Sequence, residues 1–121
     1  LAALAREMGE APDARGAEGL GRLVAQLHTL RRMSVSVAGM LHDGKQPVLE
    51  SSIVKDLGTV WEQKLPASAR TLAAFTDPQP GNEQDFDDLI EFASLVAPKL
   101  TIQGGTTEIL RGIIARGLGM R

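Results

Sequence analysis

The sequence predicts an all-α protein, an antiparallel (four-)helix bundle. Three observations favour this class. Apolar residues recur at i, i+3, i+4 and i+7 through most of the chain, and loops rich in Gly and Pro separate these periodic segments. No alternating run of β-branched residues between hairpin turns indicates a strand. Because the loops are short, neighbouring helices are expected to run in opposite directions.

Composition and charge narrow the class of protein. The chain has 121 residues, which fits one domain, and its 43% apolar and 23% charged residues are typical of a chain that folds. A net charge of −2 with scattered basic residues argues against nucleic acid or an anionic membrane as partner. Cysteine is absent, and no signal peptide or membrane-spanning run is visible. These features predict a cytoplasmic protein.

Two segments form the first part of the bundle. The first reads as the end of a helix that Gly9 caps in a left-handed conformation. A long helix over about 18–42 follows, and Gly44 and Pro47 end it. Because Leu1 already lies in a helical pattern, we expect that this sequence is N-terminally incomplete.

Three further helices are expected after this hairpin. One starts near residues 50–52, and Pro66 inside it predicts a kink or a break. Asn82 is the expected N-cap of the next helix, which ends by Pro98, and the last helix runs from the double glycine to a cap at Gly117. The residues expected to be buried are Ile53, Val54, Leu57, Val60, Trp61, Leu65 and Leu72 on the third helix, and Ile109, Leu110, Ile113 and Ile114 on the last.

Few side chains outside the last helix offer chemistry. His28 and His42 are too few for a metal or catalytic cluster, and the helix dipole already explains a His near a helix end. The acidic residues Asp85, Asp87 and Asp88 stand near a helix N-terminus, where the dipole again accounts for them, and they lack the glycine and later Glu of an EF-hand loop. We therefore expect no metal site.

The turn "GGTTE", from Gly104 to Glu108, stands at the mouth of the last helix. A helix N-terminus exposes N–H groups and a partial positive charge, and glycines allow a ligand to approach the backbone closely. Thr106 and Thr107 add hydroxyls. Spacing alone leaves two interpretations open: a threonine simply caps the helix, or the turn holds a ligand.

Two longer stretches resemble a known family. "TIQGGTTEILRGIIARGLGM", residues 101–120, resembles the C-terminal signature of the acyl-CoA dehydrogenases, in which Gly-Thr-x-Glu/Gln-Ile-Gln-Arg and an Ile-Ala-Arg run open the last helix. "LRRMSVSVAGMLHDGKQPVLESSIVKDLGTVWEQ", residues 30–63, is similar to the two long bundle helices of bacterial members. The resemblance extends from about residue 16 to the end. One departure is "TLAAFTDPQPGN", which stands where better-known members have Gln-x-x-Gly-Gly.

The resemblance implies an enzyme of three domains, of which residues 1–121 are the C-terminal helical bundle. Its cofactor would be FAD, its substrate an acyl-CoA thioester and its product a trans-2-enoyl-CoA. The proton leaves Cα while Cβ gives a hydride to the flavin, which passes its electrons to a separate acceptor. The resemblance also implies a homodimer, a homotetramer or a heterotetramer.

Site residues follow from the same resemblance. Thr106 and Glu108 match positions that contact FAD, and Gly105 matches a glycine beside the substrate. Gly104 occupies the position of the catalytic Glu of many members, so no catalytic residue is assigned, although its N–H can bind the thioester oxygen. The base then lies on an earlier helix, before Leu1, as in isovaleryl-CoA enzymes. Alternatively, the chain resembles the non-catalytic subunit of a heteromeric dehydrogenase.

Overall fold

The computed structural model describes residues 1–10, 12–75 and 83–120, and every regular element within these ranges is a helix. The all-α prediction is therefore confirmed for the described residues. No helix among them is both long and apolar enough to cross a bilayer. The elements are α1 (Ala2–Met8), α2 (Ala14–His42), α3 (Val48–Ala73), α4 (Glu83–Val96), a short 3-10 helix (Ala97–Thr101) and α5 (Thr107–Gly117).

Helix α3 is the centre of the bundle, because α1, α2, α4, the 3-10 helix and α5 all pack against it. The start of α2 meets the end of α3, since a Cβ on Gly19 would lie 2.2 Å from a methyl of Leu72. The end of α5 meets the start of α3 in the same way, at Gly117 and Leu49. Both α2 and α5 therefore run antiparallel to α3, and the short loop between α2 and α3 predicts this for the first pair.

Local capping sets several helix ends. Gly9 ends α1 with φ of 69°, as predicted. Helix α2 begins at Ala14 rather than near residue 18, because Asp13 is its N-cap and the Gly16 N–H donates to Asp13 Oδ1 at 2.6 Å. The expected cap of α4, Asn82, lies outside the described residues.

The structure refines three expectations about helix ends. Helix α3 has no break at buried Pro66, so of the expected kink or break the break is excluded. After α4 ends at Val96, the chain continues as a 3-10 helix that the sequence did not predict. Gly117 is the last residue of α5 rather than its cap, and Gly119 takes the positive φ.

The apolar core lies at one end of the bundle. Four segments meet there: α1, the first turns of α2, the last turns of α3 and the first turns of α4. Helix α4 packs on this core through its two buried apolar residues, Phe86 and Ile90. Leu4 of α1 is only 2% exposed. In the first half of α3, the buried side chains of this helix are those of Ser52 and Thr59, which are polar. The core cluster consists of Leu4, Met8, Leu23, Ala69, Phe86 and Ile90.

The predicted buried face of α3 is wrong in its details. Its apolar residues are only partly covered, and Leu57 is 48% exposed. The fully buried positions are instead Ser52, Thr59, Pro66 and Ala69, because the neighbouring helices cover a different stripe. On α5, Leu110 is buried as predicted, but Ile109 is 57% exposed.

Candidate functional site

The glycine turn connects the 3-10 helix to α5. Its backbone has a conformation that favours glycine at two positions. Gly104 has φ of 85° and Gly105 has φ of 108°, a region that residues with a Cβ rarely adopt. A Cβ on Gly104 would find Lys55 Cε of α3 at 3.6 Å, and one on Gly105 would find Leu110 Cδ2 at 3.6 Å. The glycines are therefore required by conformation and not by crowding. Gly104 is exposed, so its backbone is open to approach.

Thr106 is the N-cap of α5. Its backbone is extended, with φ of −69° and ψ of 159°, and the Ile109 N–H donates to its Oγ1 at 3.4 Å. Its carbonyl accepts the first bond of the helix, from the Leu110 N–H at 2.9 Å. The capping interpretation of the threonine pair is thus confirmed, and Thr107 is the first helical residue.

Glu108 is a fully exposed carboxylate in the first turn of α5. Its own backbone N–H and then the Thr106 hydroxyl lower the pKa of Glu108, and the charge of Arg111 contributes least in the same direction. A carboxylate with a lowered pKa is a weaker base, so Glu108 is poorly suited to accept a proton from carbon. Its negative charge also offsets the attraction of this helix end for a bare anion.

Helix α3 supplies a second group of polar residues, of which Asp56 pairs with α5. Arg111 Nε lies 3.5 Å from Asp56 Oδ2, and the Asp56 side chain is only 13% exposed. Among the described residues, Asp56 Oδ1 and Thr59 Oγ1 are buried and make no hydrogen bond. Further along α3, the Gln63 amide donates to the Ala97 carbonyl at 3.5 Å. Polar residues therefore link α3 to both elements that flank the glycine turn.

These α3 residues carry no role in the sequence predictions, although their spacing is a signal. Ser52, Asp56, Thr59 and Gln63 are spaced by four, three and four residues, which places them on one face of a helix. The periodicity of apolar residues does not reveal this stripe, because its members are polar. Lys55 is also recognisable only from the structure, because it contacts a turn that lies about fifty residues later in the sequence.

The other candidate groups are dispersed. His28 and His42 are exposed on α2, and Asp85, Asp87 and Asp88 are exposed on α4. Within the part of the chain that the structure describes, no group of three or more His, Asp or Glu side chains could hold a metal ion.

Comparisons with known proteins do not extend this description. No family model matches the sequence, and no curated protein or solved structure matches it. The fold and site therefore define the chain as an all-α helical bundle with a capped glycine turn beside a polar face of its central helix.

Proposed function

We propose that this chain is the C-terminal helical domain of an FAD-dependent acyl-CoA dehydrogenase, which oxidises an acyl-CoA thioester to a trans-2-enoyl-CoA. The observation that carries the proposal is the residue order of the glycine turn and α5, with its resemblance to the signature of that family. Two features of the turn support it. The positive φ values and the exposure of Gly104 leave the backbone accessible, and the cap presents Glu108 to solvent.

The turn has the chemistry to hold part of a flavin cofactor. Glu108, with its lowered pKa, is ionised at neutral pH and accepts hydrogen bonds, so it fits a hydroxyl or N–H of the cofactor better than its pyrophosphate. Thr106 lies beside it, and Lys55 and Arg111 place positive charge nearby. FAD, when bound, supplies the hydride acceptor. In this proposal the chain contributes Thr106 and Glu108 to the cofactor site.

The same turn would serve the substrate through its backbone. Gly105 leaves room beside the acyl group, and the Gly104 N–H would donate to the thioester oxygen. Such a bond stabilises the negative charge that develops on this oxygen as the proton leaves Cα. Neither glycine accepts a proton, and Glu108 is a weak base. The proposal therefore assigns the base to a Glu on an earlier helix, before Leu1.

The lack of a base in the turn also favours a second candidate function. In this alternative the chain belongs to the non-catalytic subunit of a heteromeric acyl-CoA dehydrogenase, and a partner subunit provides the base. Both candidates include acyl-CoA as ligand, an electron-transfer acceptor and an oligomeric assembly, and both are consistent with a cytoplasmic location.

Anaerobic titration of the full-length polypeptide with a panel of acyl-CoAs tests the proposal. We expect the purified protein to carry FAD and its flavin absorbance to bleach with at least one acyl-CoA. A Glu→Gln change at the upstream base should abolish bleaching and leave FAD bound. If FAD is bound but bleaching requires a second subunit, the non-catalytic alternative holds. A protein that binds no flavin, even with that subunit present, rules out both candidates.

A further inference from the structure

A groove between α2 and α3 lies beside the glycine turn. The proposed flavin and thioester contacts do not use this groove. Its volume is about 530 Å³, within the range of small-molecule sites, roughly 300–1,000 Å³. Lys55 lines the groove and also faces Gly104. We call it the donor groove and define it by six of its lining residues, Leu30, Arg31, Val54, Lys55, Thr59 and Trp61.

Two buried polar atoms of these lining residues have no partner in the described chain. Thr59 is only 3% exposed, and its Oγ1 makes no hydrogen bond. The indole Nε1 of Trp61 is likewise buried and unpaired. Native proteins satisfy most buried donors, so an acceptor bound at this groove would satisfy the Thr59 hydroxyl, whereas Trp61 lines this groove and a neighbouring one and its N–H is assigned to neither.

The charges of the donor groove point to the same kind of ligand. Arg31 and Lys55 line it, and neither forms an ion pair within 4.0 Å in the part of the chain that the structure describes. Glu62 also lines the groove, but it lies seven residues from Lys55, about 10 Å along the helix. Leu30 and Val54 add apolar surface. The groove thus combines a net charge of one positive unit among its lining residues, the unpaired Thr59 hydroxyl and an apolar wall.

We propose that the donor groove binds an organic phosphate, with the phosphate toward Lys55 and Thr59 and an apolar group against Leu30, Val54 and the Trp61 ring. A phosphate offers three acceptor oxygens and a charge that two cations complement, whereas a neutral ligand leaves both cations unpaired. This site shares Lys55 with the surroundings of the glycine turn but uses no atom of the turn itself, and it does not depend on the dehydrogenase proposal.

Trp61 provides a direct measurement, because the single tryptophan gives one indole N–H signal in a ¹H–¹⁵N NMR spectrum. The probe is phenyl phosphate, with benzyl alcohol as a neutral probe and inorganic phosphate as an anion without the ring. We expect saturable shifts of the Trp61 indole and of the Lys55 and Thr59 amides with phenyl phosphate. Inorganic phosphate should bind more weakly, and benzyl alcohol should cause no saturable shift.

Two variants and a matched control assign the binding to the groove. Lys55→Gln should weaken phenyl phosphate binding roughly tenfold, because it removes a charge-assisted hydrogen bond. Thr59→Val keeps the side-chain shape and should also weaken binding. Lys64→Gln is the control, since Lys64 lines a different groove that shares Trp61, and its affinity should be unchanged.

The proposal is overturned if phenyl phosphate causes no saturable shift, or if Lys55→Gln and Lys64→Gln weaken it equally. Equal effects would indicate diffuse attraction to surface charge. Binding of benzyl alcohol as tight as that of phenyl phosphate would also overturn it. Because these measurements need no flavin and no acyl-CoA, their failure leaves the dehydrogenase proposal untouched, and the reverse is also true.

Discussion

Gly104 shows how one residue fixes the shape of the turn. Its φ of 85° is unfavourable for any residue with a Cβ, although a methyl group would meet only Lys55 Cε at 3.6 Å. We expect Gly104→Ala to lower the free energy of unfolding by about 1–2 kcal/mol, through backbone strain alone. Urea unfolding measures this difference.

Gly112→Ala is the matched control for this substitution. Gly112 lies inside α5 with open space around it, so alanine should stabilise the helix by about 0.5–1 kcal/mol. The two changes add the same methyl group and are expected to have opposite signs. Equal effects of the two would contradict the role of the positive φ.

Glu108 makes the stability of α5 depend on pH. Its folded pKa is lowered from its ordinary value of 4.5, chiefly by its own N–H and then by the Thr106 hydroxyl. The ionised group therefore stabilises the fold above that ordinary value, and this contribution is lost as the pH falls through the lowered folded pKa. We expect Glu108→Gln to flatten the dependence of unfolding free energy on pH in the acid range, as the pH falls from the ordinary value of 4.5 through the lowered folded pKa.

An NMR titration of the Glu108 side chain checks the cause. Thr106→Ala removes the hydroxyl and should move the pKa of Glu108 back toward its ordinary value, whereas Thr106→Ser should retain most of the shift. An unchanged pKa in Thr106→Ala would show that the hydroxyl has no part in the shift.

At the scale of helices, α5 is attached to α3 by an ion pair whose two ends are unequal. Asp56 is 13% exposed and Arg111 is 63% exposed, so removal of the arginine leaves a mostly buried carboxylate without its counter-charge. We expect Arg111→Gln to destabilise the chain by about 1–2 kcal/mol, because an unpaired buried group keeps its desolvation cost. Asp56→Asn should cost less, since it removes the charge that needs a partner.

A double-mutant cycle of Arg111→Gln and Asp56→Asn, measured by urea unfolding, tests whether loss of the arginine costs more stability than loss of the carboxylate charge. If both single variants lose the same stability and the double variant loses only that amount, the residues act as an ordinary surface pair. Such pairs contribute about 0–1 kcal/mol.

The helices themselves were predictable because their signals are local. Gly9 and Gly44 ended helices where expected, and Thr106 was one of two threonines identified as a cap for α5. The sequence predicted a kink or a break at Pro66 and could not decide between them, because the segments that pack on α3 are distant in the sequence. The same holds for the buried face of α3. Periodicity shows where apolar residues lie, but not which neighbours cover them.

The candidate site divides in the same way. The glycine turn and the N-cap of α5 belong to one contiguous stretch, which contains Gly104, Gly105 and Thr106. The sequence therefore indicated them directly. Lys55 and Asp56 come from another helix, and only the antiparallel packing of α3 and α5 places them beside the turn and α5. Burial of unpaired atoms is a property of the assembled fold and has no local signature.

The whole molecule exposes more surface than its size requires. A compact monomer of 12.9 kDa exposes about 6,300 Å², whereas this chain exposes 8,318 Å². The difference of about 2,000 Å² exceeds the roughly 800 Å² that each partner buries in a standard interface. The long α2–α3 hairpin and α4 carry much of the exposed apolar area. A surface of this kind is typical of a domain that packs against other protein.

We therefore expect the 121-residue chain to self-associate, which sedimentation velocity measures over a range of concentrations. On α4, Phe92 is 65% exposed and Leu95 is 75% exposed, three residues apart on one face. The double change Phe92→Lys and Leu95→Lys should shift the chain toward monomer without loss of helix, because neither residue is in the core. Asp87→Lys is the control, since it adds the same two units of positive charge to an exposed position of α4 and keeps the apolar area. If Asp87→Lys disperses the chain as well as the double variant does, charge repulsion explains the result and apolar contact does not. A monodisperse monomer of the unaltered chain at all concentrations would contradict the expected association altogether.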